Sequence, residues 1–275
     1  ALLEADGYTI VSGGPRVNAA ATMANLEADL ATVRATAEPE SRFFFYFAGH
    51  GYGNGMDANY GAVPFSEAWA AHLETQPPDG EPLGQGVNTE YLFLHHADPA
   101  NDVSLTLGES IADDWLATEL ARIPSRQQFV VIDACHSGGF VGSGTSTDGV
   151  PQSYEGSDEG VSIFDAFEAM SLYVNFGPAA DVGERQAIVI AAAGEQEFSY
   201  EGAGLGYANG IFTHFFLEAR THGDADYDGW ITASEAHAYA SRAIASGVND
   251  RFYGEDKFLP RISGGAVDFI LFRAH

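Results

Sequence analysis

The stretch Gln127-Gln128-Phe129-Val130-Val131-Ile132-Asp133-Ala134-Cys135-His136-Ser137-Gly138-Gly139 decides how this chain folds. Phe129 to Ile132 are apolar without a polar residue between them. A short aromatic and β-branched run of this kind reads as a strand buried on both faces, the pattern of a parallel sheet layered between helices. The run ends at Asp133, and the chain's one cysteine, Cys135, follows two residues later. In open α/β sheets, sites gather at the C-terminal ends of the strands. A residue capable of nucleophilic chemistry therefore falls where such a sheet does its work.

Outward from this strand, the same pattern recurs. Phe43 to Phe47 is a continuous aromatic run, and it ends in Gly49-His50-Gly51. Ala187-Ile188-Val189-Ile190 marks a third buried strand within 185–193, Tyr91–Leu94 a short one, and Val267–Phe272 a last one. Helical spacing of apolar residues predicts helices over 17–35, 110–123, 163–174, about 210–221 and 233–246, with a short one at 65–73. Gly, Pro, Ser and Asn clusters read 51–62, 75–90 and 138–160 as loops. Strands alternating with helices give an α/β fold: a central, mostly parallel sheet flanked by helices. The chain has no internal repeat and no clear composition break, so 1–275 reads as a single domain.

Parallel pairing of the first two strands would bring His50 and Cys135 to one edge of the sheet. A cysteine attacks as the thiolate, and a neighbouring histidine supplies base and orientation. The glycines beside both residues allow a peptide to approach closely. The backbone N–H groups of Gly51 and Cys135 are candidates for an oxyanion hole. His136, next to the nucleophile, reads as structural.

Gly49-His50-Gly51 after one hydrophobic strand and Asp133-Ala134-Cys135-His136-Ser137-Gly138 after another resemble the caspase-like cysteine peptidases, most closely the metacaspase and bacterial branches. The likeness extends through Tyr91-Leu92-Phe93-Leu94 with Asp98, Ile111–Leu116, Ala191–Glu201 and Gly210-Ile211-Phe212-Thr213, so it runs from about 40 to 275. It implies a caspase-like three-layer sandwich and a cysteine endopeptidase with a His50–Cys135 dyad. It also implies that Asp133 is the acid of the S1 pocket, where a carboxylate pairs with a P1 Arg or Lys. The alternative for Asp133 is a cap or a strand-end hydrogen bond. Two features depart from the family. Its usual opening strand and helix before a segment like Gly7-Tyr8-Thr9-Ile10 are missing here, and His50 and Cys135 lie further apart than the roughly 50 residues typical of caspases. The competing functions are a catalytically inactive, calcium-binding interaction protein on the same fold, and a peptidase that cuts after Asp or Asn.

Residues 222–247 carry a second motif. Asp224-Ala225-Asp226-Tyr227-Asp228-Gly229-Trp230-Ile231-Thr232-Ala233-Ser234-Glu235 matches the EF-hand loop. Asp224, Asp226, Asp228 and Glu235 would bind Ca2+ through carboxylates and Trp230 through its carbonyl, while Gly229 permits the sharp turn. The expected role is structural, with activation left open. Thr232-Ala233-Ser234-Glu235 also reads as a capping box, and the two roles are compatible.

The chain holds 39 acidic and 12 basic residues, a net charge of −27, and 11 of the basic residues are arginine. Such a surface disfavours nucleic acid and favours cations and basic substrates. No apolar run is long enough to span a bilayer, and a single cysteine forms no internal disulfide. The expected partners are protein or peptide substrates bearing basic residues, and the protein is expected to be a monomer. The calcium loop, the start at Ala1 and the lysine-poor surface lean towards a secreted or periplasmic location, with the cytoplasm left open.

Overall fold

The computed structural model describes residues 2–53, 90–95, 110–134, 186–194, 197–251, 257–264, 268 and 270–275. The expected helices at 65–73 and 163–174 and the loop at 138–160 lie outside them. In chain order the helices are α1 (Leu2–Ala5), α2 (Met23–Thr36), α3 (Asp113–Ala121), α4 (Ile211–His222) and α5 (Ala233–Ala243). The strands are β1 (Arg42–Ala48), β2 (Gly51–Gly53), β3 (Glu90–Phe93), β4 (Ser110–Ala112), β5 (Gln127–Asp133), β6 (Gln186–Ala191), β7 (Trp230–Thr232), β8 (Arg261–Gly264) and β9 (Ile270–Arg273).

The chain is mixed α/β, with helices on both faces of a mostly parallel sheet. The central sheet has the order β1-β5-β6-β8. β1 pairs with β5 in parallel, from Arg42 opposite Gln127 to Ala48 opposite Asp133. β6 is parallel to β5, and β8 closes the edge antiparallel. The uninterrupted apolar runs now have their reason. On β5, Phe129 and Val131 face one core with α4 and α5, where Phe212, Phe216 and Ala240 are buried. Val130 and Ile132 face the other core with Leu30 of α2 and Leu116 and Leu120 of α3. Side chains alternate across a strand, so a strand covered on both sides must be apolar at every position.

The segment before α2 is fastened to the far helix. Asp6 forms an ion pair with Arg220 in the last turn of α4 at 2.9 Å, and both side chains are almost fully buried. Tyr8 packs edge-on against Phe44 of β1.

Two expectations need correction, and one strand was not foreseen. The predicted helix over 110–123 begins only at Asp113, because Ser110–Ala112 pairs antiparallel with Phe93–Tyr91 and buries Ile111. Sheet pairing overrides helical periodicity there. The helix expected from 17 starts at Met23, since the Thr22 side chain accepts from the Asn25 N–H at 3.3 Å and sets the N-terminus. Strand β8 has no counterpart in the sequence reading; it is an edge strand just after Pro260, four residues long, too short to show periodicity.

Candidate active site

The edge of the sheet where β1 and β5 end is set by register. Ala48 lies opposite Asp133, and the Gly49 N–H donates to the Asp133 carbonyl at 3.1 Å. The chain then turns outward. His50 is exposed, and Gly51 is partly buried at the start of β2, which pairs with β3. On β5 the description runs through Ala134. Cys135 and His136 lie outside the described residues.

Asp133 closes the strand facing inward. It is 6% exposed. Its Oδ1 accepts from the Ser199 hydroxyl at 2.7 Å. Its Oδ2 accepts from the Thr213 backbone N–H at 3.2 Å and from the Thr213 hydroxyl. Burial pushes the carboxyl's pKa up, and these three donors oppose the rise. Thr213 Oγ1 also lies 2.7 Å from the Tyr46 hydroxyl. The Thr213 proton is directed at Asp133, so Tyr46 is the donor to Thr213. The Tyr46 hydroxyl is pushed up to about 12, first by burial, with the negative charges of Asp133 and Glu201 adding to it.

This arrangement explains a helix without its own cap. Gly210 precedes α4 and has no side chain to offer the first-turn N–H groups. Asp133 caps one of them, the Thr213 N–H, from β5, placing its charge at the positive end of the helix. A Cβ on Gly210 would stand 2.5 Å from Asp133 Oδ2, so only glycine leaves room for the carboxylate. Tyr46, Ser199, Thr213 and Gly210 were not singled out by sequence reasoning. The available signals were a lone hydroxyl in the aromatic run of β1 and a helix start lacking a Ser, Thr, Asp or Asn cap.

The acidic loop at 224–235 joins α4 to α5 as a helix–loop–helix. Tyr227 (φ 63°) and Gly229 (φ 86°) take the left-handed conformation that reverses the chain. One carboxylate oxygen from each of Asp224, Asp226 and Glu235 lies within 4.8 Å of the others. That is about twice the Ca–O distance of roughly 2.4 Å, so one ion fits between them. Asp228 instead turns Oδ1 to the Trp230 N–H at 2.8 Å. Trp230 opens β7, which pairs with β9, and the Arg273 guanidinium lies over its ring at 5.0 Å. The Thr232–Glu235 capping box is formed. Burial alone would raise the Glu235 pKa, yet the N–H groups of Thr232 and Ala225 donate to it and hold it below the usual glutamate range.

No protein-family model and no curated protein matches the chain. Among solved structures, the crystal structure of protein GSU0716 from Geobacter sulfurreducens is similar to it at 16% identity, with a TM-score of 0.44, over 90% of this chain and 75% of that one. Among the described residues, no helix is long and apolar enough to cross a membrane.

Proposed function

We propose that the chain is a cysteine endopeptidase with a caspase-like three-layer fold, acting through His50 and Cys135 and cutting after Arg or Lys. The observation that carries this is the register of β1 on β5. With Ala48 opposite Asp133, Gly49-His50-Gly51 and Ala134 leave the same edge of the sheet, and Cys135 is the next residue in the sequence after Ala134. In the proposed mechanism, the His50 imidazole takes the proton from the Cys135 thiol. The thiolate attacks the scissile carbonyl, and the oxyanion is met by the N–H groups of Gly51 and Cys135. His50 returns the proton to the departing amine, leaving a thioester that water hydrolyses to the acid and the free thiol. Asp133 makes the floor of the S1 pocket negative, which favours a cationic P1 side chain.

The same proposal includes calcium at the 224–235 loop. Asp224, Asp226 and Glu235 would hold it, with the Trp230 carbonyl and Asp228 completing the set. When bound, the ion neutralises the clustered carboxylates and ties the end of α4 to the start of α5.

A positional-scanning peptide library tests the activity, run on the wild type, Cys135→Ala and His50→Ala. The expected result is cleavage after Arg and Lys that both variants lose by at least about a hundredfold. Undiminished cleavage by Cys135→Ala, or cleavage after Asp or Asn alone, would overturn the mechanism or the specificity respectively. A chain with no cleavage at all that binds calcium would be the inactive interaction protein.

A further inference from the structure

The end of β1 far from His50 carries a second feature. Arg42 opens that strand and Ala48 closes it, a span of about 20 Å at 3.3 Å per residue. Beside Arg42 lies a cavity of about 420 Å³. Its other walls are Ala5 and Asp6 of the N-terminal segment, Trp230 of β7 and Ile270 to Arg273 of β9. Cavities of this size hold small molecules.

Its charge is out of keeping with the rest of the chain. With 39 acids to 12 basic residues, an arginine has every chance of meeting a carboxylate. Arg16, Arg34, Arg122, Arg126, Arg220 and Arg261 each pair with one. Among the described residues, Arg42 and Arg273 do not. Each is held by an aromatic ring instead: the Arg42 guanidinium lies 5.0 Å from the Tyr8 ring centre, and that of Arg273 5.0 Å from the Trp230 ring centre. Arg42 Nη1 also donates to the Ile270 carbonyl at 3.1 Å. A ring or a carbonyl fixes a guanidinium without cancelling its charge, and most of its five N–H donors stay open.

The one acid in the wall, Asp6, is already matched. Its Oδ2 pairs with Nη2 of buried Arg220 at 2.9 Å, and its Oδ1 accepts from the Arg273 backbone N–H at 3.5 Å. Arg220 has donors to spare, since its Nε and Nη1 are buried without a hydrogen-bond partner. With Asp6 matched by Arg220, the charges of Arg42 and Arg273 are left over. Two fixed, forked cations suit an oxyanion gripped bidentately. A phosphate monoester carries about −1.5 to −2 charges at pH 7 and matches both, whereas a carboxylate leaves one unmet. The remaining wall is apolar, formed by Ile270, Leu271 and Phe272.

We infer that this cavity binds a small organic phosphate: Arg42 and Arg273 grip the phosphate, and the organic body lies against Ile270 and Phe272. The ligand ties the N-terminal segment to β1 and β9. The inference stands apart from the peptidase proposal, because the cavity and His50 lie at opposite ends of β1.

Isothermal titration calorimetry with phenyl phosphate, inorganic phosphate and benzoate tests it, in EDTA so that calcium takes no part. Phenyl phosphate should bind with a Kd below about 1 mM. Inorganic phosphate, which lacks the apolar body, and benzoate, which lacks the second charge, should each bind at least about fivefold more weakly. Arg42→Gln and Arg273→Gln should each weaken phenyl phosphate at least about tenfold, the loss of a charged hydrogen bond. Arg273→Lys, which keeps the charge and loses the fork, should lose less. Arg242→Gln, at an exposed arginine of α5 outside the cavity wall, should bind as the wild type does. A ligand-free thermal midpoint equal to that of the wild type shows that each variant is folded. No binding by the wild type, or binding that both glutamine variants retain, overturns the inference. Inorganic phosphate binding as tightly as phenyl phosphate would overturn the organic body, and benzoate binding as tightly would overturn the phosphate.

Discussion

Asp133 and Gly210 are a matched pair: one supplies a cap, and the other supplies the space for it. Removing the carboxylate in Asp133→Ala leaves the Thr213 N–H, the Thr213 hydroxyl and the Ser199 hydroxyl without their acceptor. The expected loss is about 1–3 kcal/mol, the cost of unpaired buried donors. Gly210→Ala drives a methyl group into Oδ2 and should cost about 1–3 kcal/mol, as other overpacked sites do. The decisive prediction is that the two losses do not add. Once Asp133 is gone, the alanine methyl has room, so the double variant should be less destabilised than the sum of the singles. Urea unfolding of the four proteins measures this, and simple additivity would mean that the contact carries no energy. The sequence exposed Asp133 as a strand-end acid. Its partners Ser199 and Thr213, 66 and 80 residues further along the chain, stayed hidden because nothing local marks a long-range cap.

Among the elements, α5 concentrates two testable effects. Its entrance is the calcium loop. Calcium at about a hundred times its dissociation constant should stabilise the fold by about 2.7 kcal/mol, raising the thermal midpoint by about 5–10 °C over chelator. Asp224→Asn should abolish most of that rise, and an identical midpoint in calcium and chelator would remove the ion from the proposal. Further along α5, His237 Nε2 lies 3.0 Å from the Pro260 carbonyl just before β8. Burial holds its pKa below the ordinary 6.5, with Arg261 acting in the same direction and the Pro260 bond opposing. A lowered folded-state pKa means that the unfolded chain takes up the proton first as pH falls. The stability from neutral His237 is thus present above pH 6.5 and lost progressively below it. The unfolding free energy of the wild type should fall more steeply below that pH than that of His237→Gln, as read from urea melts across pH. Equal slopes would show that His237 is not the group responsible. At this scale the buried strands β5 and β6 were legible, because burial on both faces writes an unbroken apolar run, whereas β1, expected to be buried likewise, is an edge strand of partly buried and exposed residues. Strands of three or four residues, such as β2, β4, β7 and β8, are specified by their partners and leave no period to detect.

For the molecule as a whole, the scarcity of basic residues is as informative as the excess of acids. Between Arg126 and Arg185 there is no Lys or Arg. Cys135 lies at the start of that interval, and the Gly/Ser/Asp-rich 138–160 stretch follows it. A peptidase that requires a cation at P1 cannot cut itself there, so activity should reside in a chain continuous across 127–184, with Arg185, just before β6, the next residue at which it could be cut. Elsewhere the basic residues are mostly held. Arg34 lies within α2 and pairs with Glu119, and Arg220 is buried against Asp6. Arg16 precedes α2 outside any helix or strand and pairs with Asp29 in an exposed ion pair at 2.8 Å. Exposed pairs of this kind contribute little and break readily, while a bond inside a helix must first unfold locally to enter a cleft. Self-cleavage should therefore favour Arg16 over Arg34 and should leave 127–184 intact. Intact-mass spectrometry of wild type and Cys135→Ala incubated side by side checks this. Fully active enzyme recovered as two fragments divided within 127–184, with the cut dependent on Cys135, would show that the specificity is not for basic residues.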